Sequence, residues 1–291
     1  DNGSEKNYSN YKICENLINY LNPIKITPIA DVQAEPDEGV KYTIEGIVTS
    51  NASGYDKDTA FFDCIYVQDN TAGINAFPVA GNFKIGDKVR VTGTTSSYQG
   101  ERQLAVTKIE KIADAEAPAP VEVTAAQIND SSVLGSLVKI KGTITRVEEA
   151  EGKIQTIMVK DAAGNEARVF IDGYITKDTE VENAVVGNLV EAVGLASYDN
   201  TFVLSDGTPV YPRIRIRNRA DVVCTAGETP VETWSITYVT DGGTINGEYP
   251  TTYTKGTVTV LPTNVTKPGY TFLGWFTAYS GGVQVKQIEA T

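Results

Sequence analysis

Apolar and polar residues alternate in short runs along most of the chain, with the two-residue period typical of half-buried β-strands. Gly, Asn, Asp and Pro residues separate the runs and predict turns. Two groups of five strands follow from this pattern. The first group is predicted near 41–50, 61–69, 73–79, 87–95 and 102–112; the second near 137–147, 154–161, 165–171, 188–196 and 201–219, the last of these broken.

The two groups are copies of one pattern, repeated after about 100 residues. "YTIEGIVTS" (42–50) corresponds to "VKIKGTITR" (138–146), and "IYVQDNTAG" (65–73) corresponds to "IMVKDAAG" (157–164). Thr27 and Thr124 each precede a short helix-compatible run, as an N-cap residue would. Asp69 and Asp161 fit the turn of a hairpin in their copies. Each copy therefore predicts a five-stranded Greek-key barrel.

The first copy resembles the OB-fold, particularly the OB modules of secreted bacterial nucleases and Bacteroides-type surface proteins. The resemblance rests on "TIEGIV" with its Gly46 kink, the hairpin "IYVQDNTAGINAF" and the run "IGDKVRVTG". The second copy matches less closely, with Asn188 in the place of Asp87. Members of this fold bind oligonucleotides, oligosaccharides or no known ligand. No catalytic nuclease segment accompanies the two copies.

The last part of the chain changes character and is rich in Gly-Gly, Asn-Gly and Pro-Gly turns. "KPGYTFLGWFT", with "DGG" upstream, closely resembles the Listeria–Bacteroides repeat, also called the internalin-B B-repeat. The resemblance implies a small β-grasp-like module, a place on a bacterial cell surface, and a spacer or adhesion role. Tyr270, Phe272, Trp275 and Phe276 are expected to form its core. Family members usually continue into a last aromatic-rich strand, and this sequence stops at "QIEAT", so that strand is missing or the module is imperfect.

These elements give an all-β chain in six parts. "YKICENLINYLN" (11–22) has apolar residues at helical spacing and predicts a helix packed on the first barrel. The predicted parts are an N-terminal tether and helix (1–26), the first OB-like domain (27–113), a Pro- and Ala-rich linker (114–123), the second OB-like domain (124–224), a second linker (225–232) and the repeat (233–291).

The charge and residue types exclude several classes of function. The formal charge is −12, which opposes indiscriminate binding to nucleic acid or anionic membranes. There is no histidine, so His-dependent catalysis and His-ligated metal sites are excluded, and we expect a non-catalytic protein without metal or cofactor. The three cysteines show no metal-binding spacing and are expected to be free and mostly buried, with a Cys14–Cys224 disulfide as the alternative.

The polar opening "DNGSEKNYSN" is typical of a tether that follows a lipidated cysteine. We therefore expect an extracytoplasmic protein at the cell surface or a lipoprotein of the outer membrane, with a lipid anchor upstream of residue 1. No apolar run is long enough to span a membrane.

Strand alternation places a candidate ligand-binding face on each barrel. On the first barrel the face comprises outward-pointing residues of the second and third strands and two loop positions: Tyr66, Gln68, Phe77, Tyr55, Tyr98 and Arg102. On the second barrel the corresponding candidates are Arg168 and Tyr198. Exposed aromatic rings beside an arginine suit the stacking of bases or sugars. The alternative is that these side chains cover a barrel end or pack on a neighbouring domain.

"YPRIRIRNR" (211–219) is the one basic cluster. If the segment is extended, Arg213, Arg215 and Arg217 line one face and suit a polyanion. The alternative is a solvated face screened by acidic neighbours.

Two functions remain open from the sequence. One is a surface protein whose barrels bind an extended oligosaccharide or a single-stranded nucleic acid. The other is a structural or adhesion protein whose barrels are spacers that contact other surface proteins. A covered ligand face would count against the first.

Overall fold

The computed structural model describes residues 23–50, 61, 63–79, 83–175, 180–227 and 232–289. The chain forms two compact units, one up to Gly227 and one from Glu228. The first unit holds both barrels, and the second holds the repeat. The predicted helix over 11–22 lies outside the described residues.

Barrel one closes from five strands in the order β1-β2-β3-β5-β4. All neighbours are antiparallel except β3 and β5, which run parallel. The strand bounds are β1 Lys41–Val48, β2 Ile65–Gln68, β3 Gly73–Phe77, β4 Asp87–Tyr98 and β5 Glu101–Asp114, and the short helix α1 spans Ile29–Ala34. The barrel encloses an apolar core that includes Ile65 and Val67, as alternation predicts.

Barrel two repeats this topology. Its bounds are β6 Val121–Glu122, α2 Ala125–Asn129, β7 Leu137–Ala150, β8 Lys153–Lys160, β9 Glu166–Phe170, β10 Leu189–Tyr198, β11 Pro212–Ile216 and β12 Val222–Thr225. Pairing of β10 with β7 closes the barrel, and β9 with β11 is again the parallel pair. The two barrels have the same strand order, which confirms the two five-stranded OB-like barrels expected from the two copies of the sequence pattern.

Gly46 and its counterpart Gly142 show why each barrel carries a glycine in its first strand. A Cβ on Gly46 would lie 2.8 Å from the carbonyl oxygen of Gln68, and one on Gly142 would lie 2.2 Å from that of Lys160. The neighbouring strand therefore crosses each first strand too closely for any side chain.

Asp69 and Asp161 do more than shape their turns. Each uses one carboxylate oxygen for amides of its own turn and the other for the first amide of the short helix in its barrel, Ile29 or Ala125, both at 2.9 Å. These bonds lower the pKa of Asp161 below its ordinary value, with the bond from Ala125 as the largest cause. The twin aspartates thus tie each helix to its barrel.

Three details of the sequence prediction are wrong. Thr124 is an N-cap with a full capping box, but the helix of barrel one begins after Pro28, so Thr27 is not its cap. The last strand of barrel two covers only Pro212–Ile216, because 199–211 form a loop. Part of the segment 114–123, predicted as a linker, pairs with β7 as β6. Cys64 and Cys224 are free, buried thiols, as expected, so the Cys14–Cys224 alternative does not hold.

The repeat consists of four two-stranded sheets within the described residues. The strands are β13 Thr233–Ser235, β14 Thr244–Ile245, β15 Thr252–Thr254, β16 Val258–Val260, β17 Val265–Thr266, β18 Trp275–Phe276, β19 Gln284–Val285 and β20 Gln287–Glu289. Leu261 is the only buried hydrophobic residue among those described in this unit. Trp275 and Phe272 are half-buried, but Tyr270 is 71% exposed and Phe276 51% exposed, so the expectation that these two join the core is wrong.

Candidate functional site

The predicted ligand face of barrel one is packed against barrel two. Tyr66 points out of its own barrel, as predicted, but it is 0% exposed and belongs to the hydrophobic cluster of barrel two. Gln68 accepts a hydrogen bond from the backbone N–H of Leu137 at 2.8 Å. The expected accessibility of Tyr66 is therefore wrong, and this part of the face is closed to a ligand.

A buried carboxylate joins the two barrels beside Tyr66. Glu101 is 5% exposed, and its Oε1 accepts the hydroxyl of Tyr66 at 2.5 Å. Its Oε2 accepts the hydroxyl of Ser197 at 2.6 Å and the amide of Tyr198 at 3.3 Å, both from barrel two. Burial and the Glu101 charge raise the pKa of Tyr66. The Tyr66 hydroxyl therefore stays protonated and donates its hydrogen bond at neutral pH.

The two backbones also come close at one glycine of each barrel. A Cβ on Gly73 would lie 2.0 Å from the carbonyl oxygen of Gly135. Arg217 adds a bond from its Nη1 to the carbonyl of Thr49 at 3.3 Å. Polar and backbone contacts thus fix the two barrels as one unit.

Arg213 and Arg215 of "YPRIRIRNR" are held by contacts within the first unit and do not form a solvated face. Arg213 is 7% exposed and pairs with Asp199 at 2.9 Å. Arg215 is half-buried, lies 4.5 Å from the ring centroid of Phe61 and pairs with Asp172 at 3.5 Å. Both the polyanion-binding and the solvated-face interpretations of these two residues are wrong, since each guanidinium has an acidic partner inside the unit.

Arg217 is also held within the protein. Its guanidinium forms an ion pair with Asp221 at 3.0 Å, in addition to the bond to Thr49. It too is unsuited to a polyanion.

The predicted face of barrel two is covered by the loop 199–211 of the same barrel. Arg168 is 1% exposed, and its guanidinium carbon lies 3.1 Å from the ring centroid of Phe202. An ion pair between Arg146 on β7 and Asp206 in the loop, at 2.6 Å, holds the loop against the barrel. Arg168 is therefore unavailable to a ligand in this structure, contrary to the prediction.

An open cleft remains where β3 and the β4–β5 hairpin of barrel one face β9–β11 of barrel two. It has two adjoining lobes of about 310 and 240 Å³. Both lobes are lined by Asn75, Tyr98, Gln103 and Arg215. Phe77 closes the larger lobe, and Glu101 and Tyr198 line the smaller one. We name this space the inter-barrel cleft.

The inter-barrel cleft combines an open aromatic ring with amides at its base. Tyr98 is 65% exposed, and Phe77 is 38% exposed. Asn75 and Gln103 are neighbours in the parallel β3–β5 pair. The side-chain oxygen of Asn75 is buried and has no hydrogen-bond partner among the described residues. A buried acceptor without a donor is costly, so Asn75 is the group in the cleft that most needs a ligand.

The predicted site residues therefore separate into four groups. The cleft brings together Phe77, Tyr98, Tyr198, Arg213 and Arg215. Arg102 lies elsewhere and donates to the carbonyl of Glu35 at 2.6 Å, at the end of α1. Tyr55 lies outside the described residues. Tyr66, Gln68, Arg168 and Arg217 are taken up by contacts within the first unit.

Sequence reasoning missed Asn75, Gln103 and Glu101. A signal was present for Asn75, since it lies two residues before Phe77 and shares its face of β3. No comparable signal marks Glu101, whose role depends on the packing of one barrel on the other.

No described helix is long and apolar enough to cross a membrane. No group of three or more acidic, histidine or cysteine residues suited to a metal ion occurs in the described part of the chain.

Comparison with known proteins identifies the C-terminal module. Residues 234–291 match the Listeria-Bacteroides repeat domain. The chain thus consists of two OB-like barrels followed by this repeat, which is typical of surface proteins. No curated protein matches the chain in sequence.

Several solved structures resemble part of the chain. One is the hypothetical protein ygiW from E. coli, with 15% identity, a TM-score of 0.25, and coverage of 30% of this chain and 90% of that chain. A murine DNA binding protein bound with ds DNA has 11% identity and a TM-score of 0.31, covering 64% and 98%. The single-stranded DNA binding protein from Thermus aquaticus, in a deletion mutant form, has 10% identity and a TM-score of 0.21, covering 67% and 98%. Likenesses this distant do not bear on the ligand.

Proposed function

We propose that this chain is a non-catalytic bacterial surface protein that recognises an oligosaccharide in the inter-barrel cleft. The observation that carries the proposal is the cleft itself, an open site lined by an exposed tyrosine and by a buried, unsatisfied amide oxygen. Ligand sites commonly lie at domain junctions and combine apolar walls with a few well-placed polar groups.

The closed faces of the two barrels favour this site over an extended groove. A single-stranded nucleic acid needs a row of open aromatic rings and free cations along the strand faces. Tyr66 and Arg168 are buried instead, and Arg213 and Arg215 are paired with acids. The chain's charge of −12 also opposes phosphate binding. An oligosaccharide is therefore the better ligand of the two.

Location and the absence of catalysis belong to the same proposal. The repeat supports an extracytoplasmic place, and a lipid anchor upstream of residue 1 remains our expectation for how the protein is held. The lack of histidine supports binding without turnover. No cofactor is needed for the role proposed.

The second candidate is a structural or adhesion protein with the barrels as spacers. It is favoured by the same burial of the two strand faces, because a spacer needs rigid contacts between its modules and no open groove. A surface protein would then be the partner.

A mixed array of glycans and oligonucleotides, probed with the intact chain at two salt concentrations, separates these functions. We expect binding to a subset of glycans that changes little with salt. Binding to oligonucleotides that weakens steeply with salt would refute the proposal. Binding to neither class by a folded chain would favour the spacer.

A further inference from the structure

The inter-barrel cleft also carries information about which oligosaccharide it takes. Its two lobes share Asn75, Tyr98, Gln103 and Arg215 as a common wall. Adjoining compartments with a shared wall suit two successive units of one chain. The larger lobe lies toward Phe77 and the smaller toward Asp199.

The unsatisfied oxygen of Asn75 requires a hydrogen-bond donor. Asn75 faces the cleft between Tyr66 on β2 and Gln103 on β5, to which it is paired by register. The hydroxyl of Tyr66 is committed to Glu101 and is not a donor for it. A ligand hydroxyl reaching the shared wall would supply the missing donor.

The charges lining the cleft disfavour an acidic ligand. Four carboxylates and two guanidiniums line the two lobes, a formal charge of −2. Both guanidiniums, of Arg213 and Arg215, already have acidic partners. A uronic acid or a sulfated sugar would find no unpaired cation among these lining residues, and it would meet like charge.

The two lobes differ in what they offer a cationic ligand. Glu101 uses both oxygens for contacts between the barrels, and Asp199 holds Arg213 and Thr201. A ligand cation would have to break these bonds to gain a partner in the smaller lobe, whereas the larger lobe offers it the exposed carboxylate of Asp63. Tyr98 offers an exposed ring face, which suits the apolar C–H surface of a sugar ring as well as a cation.

We infer that the inter-barrel cleft selects oligosaccharides without acidic groups, that it holds two successive sugar rings, and that Asn75 and Tyr98 recognise these rings. The inference rests on the proposed function and narrows its ligand. Asn75 accepts a sugar hydroxyl, and Tyr98 stacks on a ring face.

Calorimetric titration of the full chain tests the inference. The probes are neutral gluco-, manno-, galacto- and xylo-configured di- and trisaccharides, each beside its uronic-acid analogue. The variants are Asn75→Leu and Tyr98→Ala. The matched control is Tyr279→Ala, which removes a tyrosine that is 91% exposed on the repeat.

We expect at least one neutral probe to bind more tightly than its uronic-acid analogue. Each cleft variant should raise the Kd about tenfold, equivalent to about 1.4 kcal/mol, and the control should leave it unchanged. Asn75→Leu should leave Tm equal or higher, because it removes an unsatisfied buried acceptor; a residue with a purely structural role would lower Tm on substitution.

Tighter binding of a uronic-acid analogue would overturn the specificity against acidic sugars while leaving the glycan function in place. Neutral binding that neither variant weakens would overturn the assignment to this cleft. A folded chain that binds no probe in the panel would count against the proposed function itself.

Discussion

Replacement of Tyr66 by phenylalanine tests whether the two barrels are joined through a buried hydrogen bond. The change keeps the ring, which packs edge-to-face on Phe61 at a centroid distance of 5.8 Å. It removes only the hydroxyl that donates to Glu101 Oε1 at 2.5 Å. Both side chains are buried, so water cannot replace the donor without entering the junction.

The expected loss follows from that burial. A buried acceptor left without its donor costs about 1–3 kcal/mol, and more when it is charged. For a unit of this size, each kcal/mol lowers Tm by about 2–4 °C. We therefore expect Tyr66→Phe to lower the free energy of unfolding of the barrels by about 2 kcal/mol and their Tm by about 4–8 °C.

Urea unfolding of the full chain measures this with two probes. Both tryptophans, Trp234 and Trp275, lie in the repeat, so their fluorescence reports that unit. Circular dichroism in the far ultraviolet is dominated by the larger first unit. Tyr66→Phe should shift the dichroism midpoint and leave the fluorescence midpoint unchanged.

The matched control is Tyr42→Phe. Tyr42 also donates its hydroxyl to a carboxylate, that of Glu35 at 2.6 Å, but both residues are half-buried within barrel one. Water can replace this donor, so a smaller loss is expected. If the two variants lose the same stability, the hydroxyl of Tyr66 is not buried between the barrels and the reasoning fails.

Three further predictions address other contacts of the first unit. Gly73→Ala should lower the free energy of unfolding of the barrels by about 1–3 kcal/mol, measured by urea unfolding, because its Cβ would lie 2.0 Å from the Gly135 carbonyl oxygen. The bond from Ala125 lowers the pKa of Asp161, so its contribution to stability is complete above about pH 4 and is lost as the pH falls through the lowered value. Asp161→Asn should therefore reduce stability at pH 7 and flatten the decline in acid, measured by thermal unfolding from pH 7 to pH 2. Burial raises the pKa of the Cys64 thiol to about 11, so at pH 8 a thiol reagent should label Cys64 only after unfolding, as mapped by mass spectrometry.

Each of these has an outcome that contradicts it. Gly173→Ala is the control for the first, because the nearest atom there is the end of the flexible Gln155 side chain, and an equal loss in both variants would refute the close approach. If stability falls with pH in Asp161→Asn as it does in the unchanged chain, the bond from Ala125 to Asp161 contributes nothing to stability. Rapid labelling of Cys64 in the native chain would show that the junction opens to solvent.

Much of the fold could be predicted from the sequence, because the strand pattern of an OB-like barrel occurs in it twice. Two matching runs of five alternating segments left little freedom in strand number and order. Alternation also placed Ile65 inside barrel one and Tyr66 outside it, as found. The repeated aspartates predicted turns, but their bonds to α1 and α2 depend on where each helix packs.

The candidate site could be predicted only in part. The alternation of apolar and polar residues predicts which side chains point out of a barrel. It does not predict what those side chains contact. Tyr66 leaves barrel one and enters the core cluster of barrel two. Arg213 and Arg215 alternate as predicted, but their partners Asp199 and Asp172 come from other segments of barrel two.

Hydrogen exchange read by mass spectrometry, with and without the tightest-binding glycan of the panel, tests the central claim most directly. The account predicts that one ligand slows exchange in both barrels at once, over β3 and the β4–β5 hairpin of barrel one and over β11 of barrel two. Protection confined to one barrel or to the repeat, or a panel with no binding glycan, would contradict it.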